Sequence, residues 1–140
     1  MAQAIRYDDV AVGDSLPPLV LPPLRRGTLA LFAGASGDHH PLHIDLDAAR
    51  AAGLPDVFAH GMLGMAWLGR QITAWAPQAR LRSFDVRFAG ITQLGHAISC
   101  SATVVGKHAQ PGEKLVRLQL LATNQHGETK LAGEAVLALP

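Results

Sequence analysis

After Pro77 the chain alternates apolar and polar residues with a period of two, nearly to its end. Phe84, Val86 and Phe88 fall on one face, against Ser83, Asp85 and Arg87. Ile98, Cys100, Ala102 and Val104 oppose Ser99, Ser101 and Thr103, and Val116, Leu118, Leu120 and Ala122 oppose Arg117, Gln119 and Thr123. The last run sets Gly133, Ala135, Leu137 and Leu139 against Ala132, Glu134 and Val136. Successive side chains of a strand point to opposite faces, so each run reads as a strand buried on one side. Pro111-Gly112 and His126-Gly127 supply turns between runs. An antiparallel meander with one apolar face needs an apolar body laid against it.

That body precedes it. Gly61 to Trp75 reads as a helix of about four turns, roughly 22 Å long at 1.5 Å per residue. Met62, Leu63, Met65, Ala66, Trp67, Leu68, Ile72 and Trp75 surround it almost completely, which predicts burial on nearly all sides. Pro77 stops it. Helices first and a meander after make an α+β protein, one buried helix wrapped by a curved antiparallel sheet.

Upstream, residues 1–24 are turn-rich. Val12-Gly13-Asp14 reads as a tight turn, and Leu19-Val20-Leu21, flanked by Pro17-Pro18 and Pro22-Pro23, fits only a short edge strand. Arg25 to Ser36 reads as a helix with Leu29, Phe32 and Ala33 on one face, ended by Gly34 and Gly37. Thr28 is the one candidate cap, so a frayed first turn is expected. Asp45 or Asp47 can cap a short helix over Ala48–Ala52, which Gly53 ends.

The 140 residues fit one domain over 1–140, and 49% hydrophobic composition supports a real core. A formal charge of +1 without a long basic run argues against nucleic acid as partner. The single cysteine, Cys100, excludes an intrachain disulfide and fits a reducing, cytoplasmic compartment. Met1 to Arg6 lacks the apolar stretch of a signal peptide, and no run of about 18 apolar residues predicts a membrane span.

The chemistry gathers between Ser36 and His43, where Asp38, His39, His40 and His43 fall within six positions. Carboxylate and imidazole both exchange protons near neutral pH when their surroundings tune them. Gly37 lets the chain turn after the helix and Pro41 fixes the next turn, so the stretch reads as a stiff loop aiming Asp38 and His43 at one point. Spacing alone leaves two readings open, an acid–base pair or a hydrogen-bonded aspartate and histidine at a helix end. Zinc ligation by His39, His40 and His43 is disfavoured by tight spacing and the lack of a cysteine, so no metal is expected. Gly61 heads the long helix, where an outward N–H at the positive end of the helix dipole suits a carbonyl oxygen gaining charge.

Phe32-Ala33-Gly34, Ser36-Gly37-Asp38, Pro41-Leu42-His43 and Asp45, followed by His60-Gly61-Met62-Leu63, resemble the MaoC-like dehydratases and (R)-specific enoyl-CoA hydratases, which have the hot-dog fold. The resemblance implies a hydro-lyase interconverting trans-2-enoyl and (3R)-3-hydroxyacyl thioesters of coenzyme A or acyl carrier protein. It needs no cofactor beyond that carrier. It implies Asp38 as base toward a shared water, His43 as partner delivering the α-carbon proton, and the Gly61 N–H on the thioester carbonyl. Gly61, His60, Ser36 and His40 complete the candidate oxyanion and substrate-binding set. Hot-dog chains pair so that two sheets become one, implying a homodimer.

Three departures stand out. His40 stands where the family has asparagine. Gly69 offers no hydroxyl to steady the aspartate, which leaves Ser36 or Ser83 to do so. Ile91-Thr92-Gln93-Leu94-Gly95-His96 replaces a more acidic turn. Met62, Met65, Trp67 and Trp75 line either an acyl tunnel or the core. Arg82, Arg87 and Lys107 meet either a coenzyme A phosphate or solvent. A hot-dog thioesterase and a non-catalytic partner subunit are the rival functions.

Overall fold

The computed structural model describes residues 5–140; Met1–Ala4, and with them most of the stretch read for a signal peptide, lie outside the described residues. The alternating region forms β2 (Leu81–Phe88), β3 (Ser99–Gln110), β4 (Glu113–Thr123) and β5 (Thr129–Leu139). A two-residue β1 (Leu19–Val20) completes a five-stranded sheet in the order β1-β3-β4-β5-β2, antiparallel throughout. The inward residues of β3, β4 and β5 are those the alternation marks. Cys100, Val116, Leu118, Leu120, Ala122, Ala135 and Leu137 are fully enclosed. Burial pushes the Cys100 thiol up to about 11, which leaves it unreactive.

The sheet curls where β5 meets β2. A Cβ on Gly133 would sit 2.0 Å from the Asp85 carbonyl oxygen, so only glycine lets the two backbones approach this closely. Inside the curl lies α4 (Gly61–Trp75), with Leu68 and Ile72 packed into the sheet's core. Gly64 admits Leu131, whose Cδ1 would lie 2.5 Å from an added Cβ. Gln71, also buried, donates from its amide to the Pro17 and Cys100 carbonyls, 3.0 Å each, tying the helix to β1's approach and to β3.

The expectation of burial on nearly all sides of α4 is not met. Met62 is 55% exposed, and Ala66 also faces outward. The sheet covers one side, and a second cluster built from Leu24, Leu29, Ala49, Val57, Ala59 and Leu63 covers another. The remaining side is left as a groove. Trp67 and Trp75 pack against the core rather than lining that groove.

The upstream helices carry the second cluster. α1 (Arg26–Ser36) has Arg25 at its head and no side-chain cap; Thr28 does not cap it, and Arg26 pairs instead with Asp56 at 2.6 Å. Gly34 does not end α1. A lone helical glycine costs about 1 kcal/mol, less than burying Leu29 and Ala33 returns, so the helix runs on to Gly37. There φ is +77° and the N–H bonds the Ala33 carbonyl at 2.9 Å. Pro41 opens a four-residue helix, α2 (Pro41–Ile44), where a turn was expected. α3 (Leu46–Ala51) starts earlier than expected, because Asp45 caps it, its Oδ1 accepting from Asp47 and Ala48.

Lys107 is spent on the fold. Its ammonium donates to the Tyr7 and Val10 carbonyls and lies 4.0 Å over the Tyr7 ring, holding the amino-terminal turn against β3. Arg82 pairs with Glu113 at 2.7 Å.

Candidate active site

The site starts with the way α1 ends. Ser36 Oγ donates to the Phe32 carbonyl at 2.7 Å and accepts from the Asp38 N–H at 3.2 Å. Gly37, in the left-handed region, then swings the chain out of the helix. Asp38 Oδ1 accepts the His40 N–H at 3.2 Å, an Asx turn, and His40 Nδ1 accepts from Leu42 at 3.3 Å, capping α2. The histidine at 40 thus orders the loop by the hydrogen bond its position calls for. Ser36 steadies the aspartate's backbone, while Ser83 is exposed on β2.

α2 presents His43 to the loop before α4. A ring nitrogen of His43, Nδ1, lies 2.7 Å from the Phe58 carbonyl. A carbonyl only accepts, so Nδ1 carries the hydrogen and Nε2 keeps its lone pair. Burial is the largest influence on His43 and lowers its pKa from 6.5. The Phe58 bond and Asp38 oppose this; His60 and His40 add to it. Asp38 is exposed, His43 half-buried and His60 buried, and one donor atom from each lies within 4.8 Å of the others.

His60 sits directly behind this pair. Its Nε2 donates to the Asp38 carbonyl at 3.0 Å, and its ring stacks on His43 with centroids 4.0 Å apart and 25° between planes. A shared metal ion would need the two lone pairs to converge in their ring planes, whereas the near-parallel stack holds those planes side by side.

The 91–96 turn supports the loop that carries Phe58 and His60. Ala59 donates to the Thr92 carbonyl at 2.9 Å, and Phe58 bridges to Gln93. Gly95 takes φ +84°, and His96 Nδ1 accepts the Gln93 N–H at 3.0 Å. The turn keeps its bend at Gly95, and the His96 imidazole closes it in place of the acidic side chain that the resemblance sets there. Phe58 and Thr92 act through backbone carbonyls, which no side-chain pattern reveals.

Gly61 begins α4, and its N–H meets no acceptor among the described residues. An added Cβ there would lie 3.0 Å from the Phe88 ring. A mostly apolar groove of about 550 Å³ is bounded by Asp38, Met62, Met65, Ala66, Gly69 and Phe84. Gly61 itself lines a separate cleft of about 400 Å³, with Phe58, Gly64, Phe88, Ile91 and Leu131.

A curled antiparallel sheet around one long helix, with this loop at the helix head, is the hot-dog fold. Residues 14–126 match the MaoC like domain, and the chain belongs to the MaoC-like dehydratase family. It is 26% identical over 138 residues to the (R)-specific enoyl-CoA hydratase of Rhodospirillum rubrum, covering 96% of this chain and 91% of that protein. It is 28% identical over 134 residues to the fatty acid synthase subunit beta of Saccharomyces cerevisiae, covering 94% of this chain but spanning only 6% of that protein. Among solved structures, the R-hydratase PhaJ1 of Pseudomonas aeruginosa in its unliganded form superposes with a TM-score of 0.86 at 27% identity, over 98% of this chain and 86% of that one. Among the described residues no helix is long and apolar enough to cross a membrane.

Proposed function

We propose that this protein is an (R)-specific hydratase/dehydratase that interconverts trans-2-enoyl and (3R)-3-hydroxyacyl thioesters, carried on coenzyme A or acyl carrier protein. The observation that carries the reading is the pair itself: a carboxylate oxygen of Asp38 and a ring nitrogen of His43 within 4.8 Å of each other, near the head of a helix whose first N–H meets no acceptor among the described residues. Two hydrogen bonds of about 2.8 Å reach across that gap through one water. The Asp38 carboxylate and the His43 Nε2 lone pair both accept, so the water gives a hydrogen to each. Its oxygen lone pair then faces the substrate.

In hydration that oxygen bonds to the β-carbon as the double-bond electrons move toward the α-carbon and the thioester oxygen. One water proton passes to the pair, and the pair returns one proton to the α-carbon, so H and OH add across the bond; dehydration is the reverse. The Gly61 N–H holds the carbonyl oxygen as charge builds, an effect worth roughly 3–4 kcal/mol for one such donor. The apolar groove beside Asp38 suits the acyl chain. The same reading takes the protein as a homodimer, with the free edge of β2 as the pairing surface and no cofactor beyond the thioester carrier.

The test is hydration of crotonyl-CoA and longer enoyl-CoA thioesters by purified protein, with free thiol followed alongside. The expected outcome is hydration without thiol release, lowered about 10³-fold in Asp38→Asn, within the range for a lost acid–base group. Thiol release without hydration would favour the thioesterase; no turnover on any chain length would sink the reading.

A further inference from the structure

We infer that His60 is the positioning residue of the site: one buried imidazole pins the Asp38 backbone, sets the plane of the His43 ring, and joins both to the Gly61 amide. Its kinetic consequences rest on the hydratase reading; its geometry does not.

His60 is 2% exposed and is the residue immediately before α4. Three contacts define its work. Its Nε2 donates to the Asp38 carbonyl at 3.0 Å, and since Ser36 Oγ holds the Asp38 N–H at 3.2 Å, the peptide groups on both sides of that residue are tied down. Its face lies on His43, 4.0 Å between centroids. The Phe58 bond fixes how far the His43 ring rotates, and the stack fixes how it tilts. His60 also meets Phe32 of α1 in a T-shaped contact, ring centroids 4.9 Å apart, so the imidazole is itself held against that helix.

The unpaired atom argues in the same direction. His60 Nδ1 is buried and has no partner. A buried polar atom without a hydrogen bond costs stability, and an apolar ring such as phenylalanine would not carry that cost. What phenylalanine lacks is the N–H aimed at Asp38. His60 does not cap α4 either, since its side chain makes no cap hydrogen bond. What the imidazole adds over an apolar ring is therefore its bond to the loop that carries the carboxylate. The chain then runs straight into Gly61, so displacing His60 moves the carbonyl-binding amide along with the pair.

The experiment compares His60→Gln, which keeps an N–H donor but no ring, His60→Phe, which keeps a ring but no donor, and His60→Ala, which keeps neither. Each is measured for kcat and KM per folded molecule, for thermal stability, and for the titration of the His43 ring by NMR. The groups facing His43 are His60 from the loop before α4 and Asp38 and His40 from the loop before α2. The last two are present in every variant, so a movement of the titration reports on His60. Expected are a fall in kcat of about 100-fold in His60→Ala with KM little changed, as for an ångström-scale misplacement of reacting groups, and partial rescue by both Gln and Phe. The His43 titration is expected to move up toward 6.5 in His60→Gln and His60→Ala, as solvent and a lost neighbouring imidazole relieve the causes of its depression. A lowered melting temperature with an unmoved His43 titration and wild-type kcat per folded molecule would overturn the inference. The NMR titration decides the matter even if the wild-type protein hydrates no thioester, a result that would count against the hydratase reading alone.

Discussion

At the scale of residues, the pair depends on how three imidazoles divide their ring nitrogens. His43 gives one nitrogen to Phe58, which leaves the other with its lone pair; His40 spends Nδ1 on capping α2; His60 gives Nε2 to the Asp38 backbone. The lowered His43 pKa has a definite sign. Its neutral form persists below 6.5, and a reaction that needs that lone pair keeps its rate into mildly acid solution. A pH profile of kcat/KM is expected to show its acid limb below 6.5, and a limb above that value would contradict the burial argument. His43→Gln is expected to lower kcat by about 10²–10⁴-fold, the usual contribution of one acid–base group, with the fold intact by circular dichroism.

At the scale of elements, two positions decide whether the site's supports form. Asp45 joins α2 to α3, ending the first as it caps the second. Asp45→Ala is expected to cost about 1 kcal/mol in urea unfolding, as for other lost N-caps. Gly133 is where β5 presses on β2, with a Cβ only 2.0 Å from the Asp85 carbonyl oxygen and 2.8 Å from the Val86 Cα. Backbone cannot step aside as a side-chain tip can. Gly133→Ala is therefore expected to cost about 3 kcal/mol, at the upper end of overpacking, and to loosen the β2 edge. A melting curve unchanged from wild type would refute the close approach. These elements also show what a sequence pattern reads well. The alternation in β3 to β5 and the span of α4 are legible because inward faces and helix ends follow local periodicity and proline. Gly34 misleads, because a glycine marks a helix end only when no buried face carries the helix through it.

At the scale of the whole molecule, the sheet ends on one side in a two-residue β1 hemmed by prolines and on the other in β2, eight residues long and unpaired along its outer edge among the described residues. An unpaired edge of this length invites another strand. If two copies meet antiparallel there, the inward faces must match, so Phe84, Val86 and Phe88 can oppose only one another. A ladder centred on Asp85 would set that carboxylate against its own copy. A ladder centred on Val86 sets Asp85 against Arg87 twice and Phe84 against Phe88 twice. Asp85→Arg is then expected to weaken the dimer roughly tenfold, from lost and reversed cross-strand pairs worth about 0.2–1 kcal/mol each. Asp85→Arg combined with Arg87→Asp is expected to restore it. Sedimentation of the wild-type protein as a monomer at all concentrations would remove the dimer altogether.

The sequence by itself determined the α+β architecture, the long helix and its head at Gly61, and the stretch that carries Asp38 and His43, because these follow from periodicity, turn chemistry and an ordered motif. It did not determine that α4 leaves a groove open along Met62 and Ala66, nor that His60 lies beneath the pair, nor that the Phe58 and Asp38 carbonyls choose the imidazole tautomers. Those depend on which distant segments pack together and on backbone groups that every residue carries alike, so only the tertiary structure decides them.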